Sequence, residues 1–293
     1  MNVGVSTYSF SRLIRSGEMT QSAAVAKTKE MGFDSVEICG IQADAGVSET
    51  DYARRLRDEA AALNLPIASY TFGANLLGAN DHYDPQAEIA RVKQQVDIAA
   101  LLGAPLLRHD AFASFPADYQ GLRGFYAVLP VLADSCREIT CYAADKGIVT
   151  TVENHGHICQ DSLRMEALVT AVNHANFGLT IDIGNFVGVD DDPAVAVGRL
   201  APYARHCHAK DNHLKPGTEI FPGRGWRLSR GGNWRRSAII GHGNVPVAQC
   251  VRILAAKGYA GALSIEYEGI EDVLMGISMG QENLRRYIAM AAG

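Results

Sequence analysis

The chain opens with residues 1–10, MNVGVSTYSF. Val3–Ser6 is a short apolar and β-branched run that reads as a strand. Ser6-Thr7-Tyr8-Ser9-Phe10 follows it and contains no glycine. An open doubly wound sheet carries a glycine-rich turn after its first strand, because backbone amides must approach a phosphate there. This opening therefore speaks against an open nucleotide-binding sheet and for the other way of arranging parallel strands, a closed barrel.

Seven more such runs follow, near Ser35–Cys39, Pro66–Tyr70, Leu106–His109, Val149–Glu153, Gly178–Asp182, Arg205–His208 and Ala262–Glu266. The segments between them read as amphipathic helices with clear punctuation. Asp84-Pro85 and Asp192-Pro193 pair a capping carboxylate with proline at the first helical position. Ile89, Val92 and Val96 recur at three- and four-residue steps, and Gly103 stands where a helix-ending glycine belongs. Gly32, Gly147 and Gly258 repeat that stop signal. Asp161 caps a helix with Met165, Leu168, Val169 and Val172 on one face. Eight strands alternating with helices make a single (β/α)8 TIM barrel of the α/β class, spanning residues 1–293 as one domain.

One stretch breaks the rhythm. Residues 211–246 hold seven glycines, five arginines and both tryptophans of the chain. The expectation is a long loop after strand seven, lying over the barrel mouth.

Composition narrows the function. Hydrophobic residues are 47% and charged residues 20%, ordinary for a folded chain. A formal charge of −5 argues against a nucleic-acid-binding face. No apolar run approaches the roughly 18 residues a membrane span needs. Six cysteines without a C-x-x-C pair read as reduced thiols, and the opening shows no signal-peptide pattern, so the expected location is cytoplasmic.

The chemistry lies at the strand ends. Runs five to eight end in Glu153, Asp182, His208 and Glu266. On a barrel these ends share one rim, the rim that carries active sites. Three carboxylates crowded together raise one another's pKa values unless a counter-charge is present, and a divalent cation supplies one. Oxygen and nitrogen ligands without thiolate suit Mn²⁺, Mg²⁺, Co²⁺ or Fe²⁺, and Zn²⁺ less exclusively. His206 and Lys210 share a strand face with His208, and Glu268 shares one with Glu266. Lys210 is placed to hold a substrate oxygen.

The sequence HAKD at 208–211, with Glu153, Asp182 and Glu266 around it, resembles the sugar phosphate isomerase/epimerase (AP endonuclease family 2) group of xylose isomerase-like TIM barrels. The opening VGVSTYSF and the closing IIGHGNVPVAQCVRILAAKGYAGALSIEYEG resemble it too, so the likeness covers essentially the whole chain. It implies one divalent ion, Mn²⁺ first, on Glu153, Asp182, His208 and Glu266. It also implies a sugar or keto-sugar substrate, and Glu153 and Glu266 as proton carriers. Many relatives carry a histidine three residues after the strand-six aspartate; this chain has Asn185. Related barrels assemble as dimers or tetramers, so a homo-oligomer is expected.

The expected activity is a metal-dependent isomerase or epimerase of a keto sugar or polyol, acting through an enediolate. The alternatives are a lyase or dehydratase on a 3-keto-glycoside or inosose, and a non-catalytic sugar-binding barrel. His155 is expected to protonate a leaving oxygen or position a hydroxyl. His109, Glu37, Trp226 and Glu268 are expected to line the substrate pocket, with Tyr8, Phe72 and Trp234 adding an apolar wall.

Overall fold

The computed structural model describes residues 1–292. Strands and helices alternate: β1 (Asn2–Ser6), α1 (Ser11–Arg15), α2 (Gln21–Glu30), β2 (Ser35–Cys39), α3 (Glu49–Ala62), β3 (Ile67–Phe72), α4 (Pro85–Leu102), β4 (Leu106–His109), α5 (Phe125–Ala144) and β5 (Val149–Glu153). The second half continues with α6 (Ser162–Val172), β6 (Phe177–Asp182), α7 (Pro193–Leu200), β7 (Ala204–Ala209), β8 (Asp211–Lys215), β9 (Arg227–Leu228), β10 (Trp234–Ala238), α8 (Val247–Ala256), β11 (Ala262–Ile265) and α9 (Val273–Ala292). β1 to β7 and β11 close a parallel barrel, with β11 pairing both β7 and β1. The eight expected strands are present, each within two residues of its sequence-based bounds.

The caps behave as their chemistry requires. Asp84, Asp161 and Asp192 each accept a hydrogen bond from the backbone amide three residues on. Gly103 ends α4 with a φ of +70°, a conformation that disfavours residues with a Cβ.

Register sorts the strand residues into two sets. Val3, Val5, Val36, Ile38, Tyr70, Leu107, Val152, Leu179, Ile181, Cys207, Leu263 and Ile265 are buried between barrel and helices. The lumen set is polar. Pairing runs in register from Gly4 through Ser35 on one side and Ser264 and His208 on the other. At Gly4 a Cβ would come within 2.8 Å of Ser35 Oγ and 3.0 Å of Ser264 Oγ, so glycine leaves room for these two hydroxyls. The Thr151 and Thr180 hydroxyls of the neighbouring strands β5 and β6 meet at 2.8 Å. The floor is thus a layer of small hydroxyl side chains, and larger charged groups stand above it.

The expected loop over residues 211–246 contains structure. β8, β10 and β9 form a separate three-stranded antiparallel sheet in that order. Asp211 ties its two ends together. Its carboxylate accepts the amides of Gly241, Gly243 and Val245, at 2.9, 2.9 and 3.1 Å, where the chain returns. Asp190 holds the far side by accepting from the Ser229 hydroxyl and the Asn233 amide. Among the described residues no helix is long and apolar enough to cross a membrane. All six cysteines are unpaired.

Candidate metal centre

Glu153 and Asp182 are the last residues of β5 and β6, His208 is the fifth residue of β7, and Glu266 directly follows β11. All four are buried. One ligand atom from each lies within 4.8 Å of the others. Octahedral ions of the Mg²⁺ type hold oxygens at about 2.1 Å, which puts neighbouring ligand atoms about 3 Å apart and opposite ones about 4.2 Å apart. The cluster has the scale of such a shell.

Each side chain is held by partners. Asp182 accepts the amides of Gly184 and Asn185 on Oδ1, at 2.8 and 3.0 Å. Its Oδ2 is buried without a hydrogen bond, although Lys210 Nζ stands 3.0 Å away in poor alignment. Asn154 locks Asp182 in place through reciprocal bonds to its backbone amide and carbonyl. Glu153 Oε1 accepts from the Asn185 side chain at 3.0 Å, so the residue that departs from the family pattern still reaches the site. His208 turns Nδ1 toward Glu153 and Glu266, at 3.3 and 3.5 Å, and Nε2 toward Glu37 at 3.0 Å. A carboxylate behind a metal-facing imidazole is the usual means of fixing its tautomer and orientation.

Two buried cations modify the expectation that an ion alone must balance the carboxylates. Lys210 Nζ lies 2.9 Å from Glu266 and 3.4 Å from Glu268. Arg108 pairs with Glu153 and, at 2.9 Å, with Asp110. Burial disfavours the Lys210 ammonium, but Asp182, Glu268 and Glu266 outweigh it and hold its pKa well above the ordinary value. Burial raises Glu153, yet Arg108 and His208 hold it well below the usual carboxylate range. Asp182 is pushed up to about 6 by burial, with Glu153 and Glu266 adding to it against Lys210. Six carboxylates (Glu37, Asp110, Glu153, Asp182, Glu266 and Glu268) therefore face only two permanently charged cations. With Asp182 Oδ2 unsatisfied at their centre, the residues fit a divalent cation.

The other expected residues divide. Glu268 sits one step outward, on Lys210. Glu37 is fully buried beneath the site, 2.9 Å from His206 and 3.0 Å from His208, so it holds those rings and does not line a pocket. Glu37, His206 and His208 form a second metal-capable group. His109 is corrected as well: Arg108 enters the lumen, so alternation turns the buried His109 ring to the helix side, with Nδ1 3.0 Å from the Asp110 carbonyl oxygen. Trp226 lines a cavity beside Glu268, but the Arg236 guanidinium lies 5.5 Å over its ring. Phe72 lies under Arg91 and Trp234 packs on Phe221, so neither forms the expected wall. Tyr8 reaches Glu268, near Lys210 and Glu266.

His155 lies beyond β5 with its side chain about half exposed, and its Nδ1 is 3.0 Å from Asp110 Oδ1. The Asp110 hydrogen bond raises the pKa of His155 against burial. Arg108 and Asp110 escaped the sequence reading. Both lie across a strand from Glu153, and the alternating pair around His109 was the available signal.

The model of the xylose isomerase-like TIM barrel matches residues 25–287. The chain belongs to that family. Among solved members of the fold, a D-tagatose 3-epimerase-like protein is 20% identical at a TM-score of 0.71, over 100% of this chain and 98% of its own. The probable 3-DHS dehydratase AsbF of Bacillus anthracis is 18% identical at 0.72, over 98% and 99%. A xylose isomerase-like TIM barrel protein from Mycobacterium smegmatis, in complex with magnesium, is 17% identical at 0.69, over 93% and 89%. At these identities the likeness carries the fold and not the reaction. Among curated protein sequences, none matches this chain.

Proposed function

We propose that this xylose isomerase-like barrel is a divalent-metal-dependent isomerase or epimerase of a keto sugar or related polyol. The observation that carries the reading is the convergence of Glu153, Asp182, His208 and Glu266 within 4.8 Å, with Asp182 Oδ2 lacking a hydrogen bond. A cation held by these four would polarise a substrate carbonyl and offset the charge of an enediolate.

The chain supplies the remaining functions. Glu153 and Glu266 stand on either side of Asp182 and His208 around the barrel order. One of them takes the proton from the carbon next to the carbonyl. If the other returns a proton to the opposite face, the product is an epimer. If the proton returns to the neighbouring carbon, the product is an isomer. Lys210 donates to the oxygen that gains charge, and Glu37 holds the His208 ring. The burial of Glu153, Asp182, His208 and Lys210 keeps this chemistry away from bulk water.

A second reading has its own observation. The half-exposed His155, kept protonated to higher pH by Asp110, would serve as a general acid. In a dehydratase, a glutamate would take the α-proton while a β-hydroxyl accepts the His155 proton and leaves as water, forming a C=C bond.

Incubation of the Mn²⁺-loaded protein in D₂O with ketoses and inososes tests both. Deuterium entering carbon without loss of water supports the isomerase or epimerase. Deuterium-linked water loss supports the dehydratase. No exchange with any such substrate, in protein that holds the ion, contradicts both.

A further inference from the structure

The small sheet carries a group of cations that the reaction above does not use. Arg227 of β9 and Arg235 of β10 are paired directly across the strands. Like charges facing each other on a sheet are destabilising unless something neutral or negative separates them. No carboxylate lies within ion-pair distance of either guanidinium among the described residues, and the nearest partner of Arg236 is Glu271 at 3.8 Å. The three arginines line one cavity of about 290 Å³ together with Asn212, Ser237 and Glu268. Three donors there are buried without an acceptor: Arg235 Nε, Arg236 Nε and Ser237 Oγ. Burial and the proximity of Arg227 disfavour the charge on Arg235 and outweigh the more distant Glu268, Asp182 and Asp190 carboxylates. Glu268 is the one carboxylate of this lining, so two facing guanidiniums and unmatched donors around a hollow leave positive charge and hydrogen-bond capacity for an oxyanion.

The cavity also has a direction. Glu268, its carboxylate, lies 3.4 Å from Lys210, and Lys210 touches Asp182 and Glu266. One side chain therefore separates the cavity from the carboxylate cluster.

We infer that Arg227 and Arg235, which share one face of the small sheet with Ser237, bind the anionic group of the substrate, so that the keto sugar or polyol handled here carries a carboxylate or a phosphate. This rests on the proposed function for its keto-sugar part and on the arginine cavity alone for its charge. Planar guanidinium forks suit both oxyanions.

Calorimetric titration of the Mn²⁺-loaded chain with D-fructose, D-fructose 6-phosphate and D-fructuronate tests it, with inorganic phosphate titrated separately into metal-free protein. The charged sugars are expected to bind at least about tenfold more tightly than fructose. The combined R227Q/R235Q variant should erase that difference and leave fructose binding unchanged. R224Q, outside the cavity, should keep it. Relief of the like-charge pair should leave the melting temperature of the double variant equal or higher. A preference for phosphate or for carboxylate identifies which oxyanion is bound. Equal binding of neutral and charged sugars, or a difference that survives in the double variant, overturns the inference. Phosphate binding without metal, lost in R227Q/R235Q, would support the cavity even if the protein exchanged no substrate proton.

Discussion

Asp110 Oδ1 lies 3.0 Å from Nδ1 of His155, and the same carboxylate is held by Arg108, which also grips Glu153. The ring that faces solvent is thereby joined to the buried carboxylates through two side chains. The Asp110 hydrogen bond raises the pKa of His155, so its imidazolium persists to higher pH than an ordinary histidine. In D110N that support is lost. The His155 titration, followed by NMR, should move to lower pH, and an unmoved midpoint would contradict the assigned pairing.

Glu37 gives a prediction about the opposite side of His208. It contacts both His206 and His208 from below and touches no candidate substrate space. E37Q should weaken divalent-metal binding about 10- to 100-fold while the circular dichroism spectrum stays that of the wild type. Unchanged affinity would place Glu37 outside the metal's support.

Asp211 is a structural pin. Its side chain is the acceptor for three returning amides and its own neighbour's amide. D211A leaves these donors unpaired and should cost about 3 kcal/mol of stability, read by denaturant unfolding. A loss under about 1 kcal/mol would mean that water replaces the carboxylate without penalty.

The small sheet should loosen in acid before the barrel does. Burial raises Asp190, but hydrogen bonds from Ser229, Asn233 and the Gly231 amide outweigh it and lower its pKa. A carboxylate with a depressed folded value stabilises above its unfolded pKa of about 3.9, and that contribution disappears as pH falls through the folded value. Hydrogen exchange in residues 227–238, corrected for its intrinsic pH dependence, should therefore accelerate below about pH 4. D190A should show the faster exchange already at pH 6. Protection that is equal at both pH values would count against Asp190 as the tether.

Much of this was legible in the sequence because strand ends and caps are local signals. Glu153, Asp182, His208 and Glu266 each close a strand run, and a barrel brings such ends together whatever lies between them. Asp84, Asp161 and Asp192 announce their helices in the same way. Arg108 and Asp110 are less visible, since three polar residues stand in a row at 108–110 and only the side of the strand decides which of them enters the lumen. Asp211 looks like a surface charge until the chain returns from residue 241 to meet it. The small sheet hides in the sequence because its strands, DNHLK and WRRSA, lack the apolar alternation of a half-buried strand. Glu37 differs again: its type suggests a pocket residue, and only the register with Ser6 and Ser69 places it under His208.

The measurement that bears most directly on the account is metal content of the purified chain by mass spectrometry, in wild type and in D182N and H208A. About one divalent ion per chain in the wild type, lost or strongly weakened in both variants, is the expected result. A wild-type chain that holds no ion after incubation with Mn²⁺, Mg²⁺, Co²⁺ and Zn²⁺, or an ion retained undiminished in both variants, would contradict the metal centre.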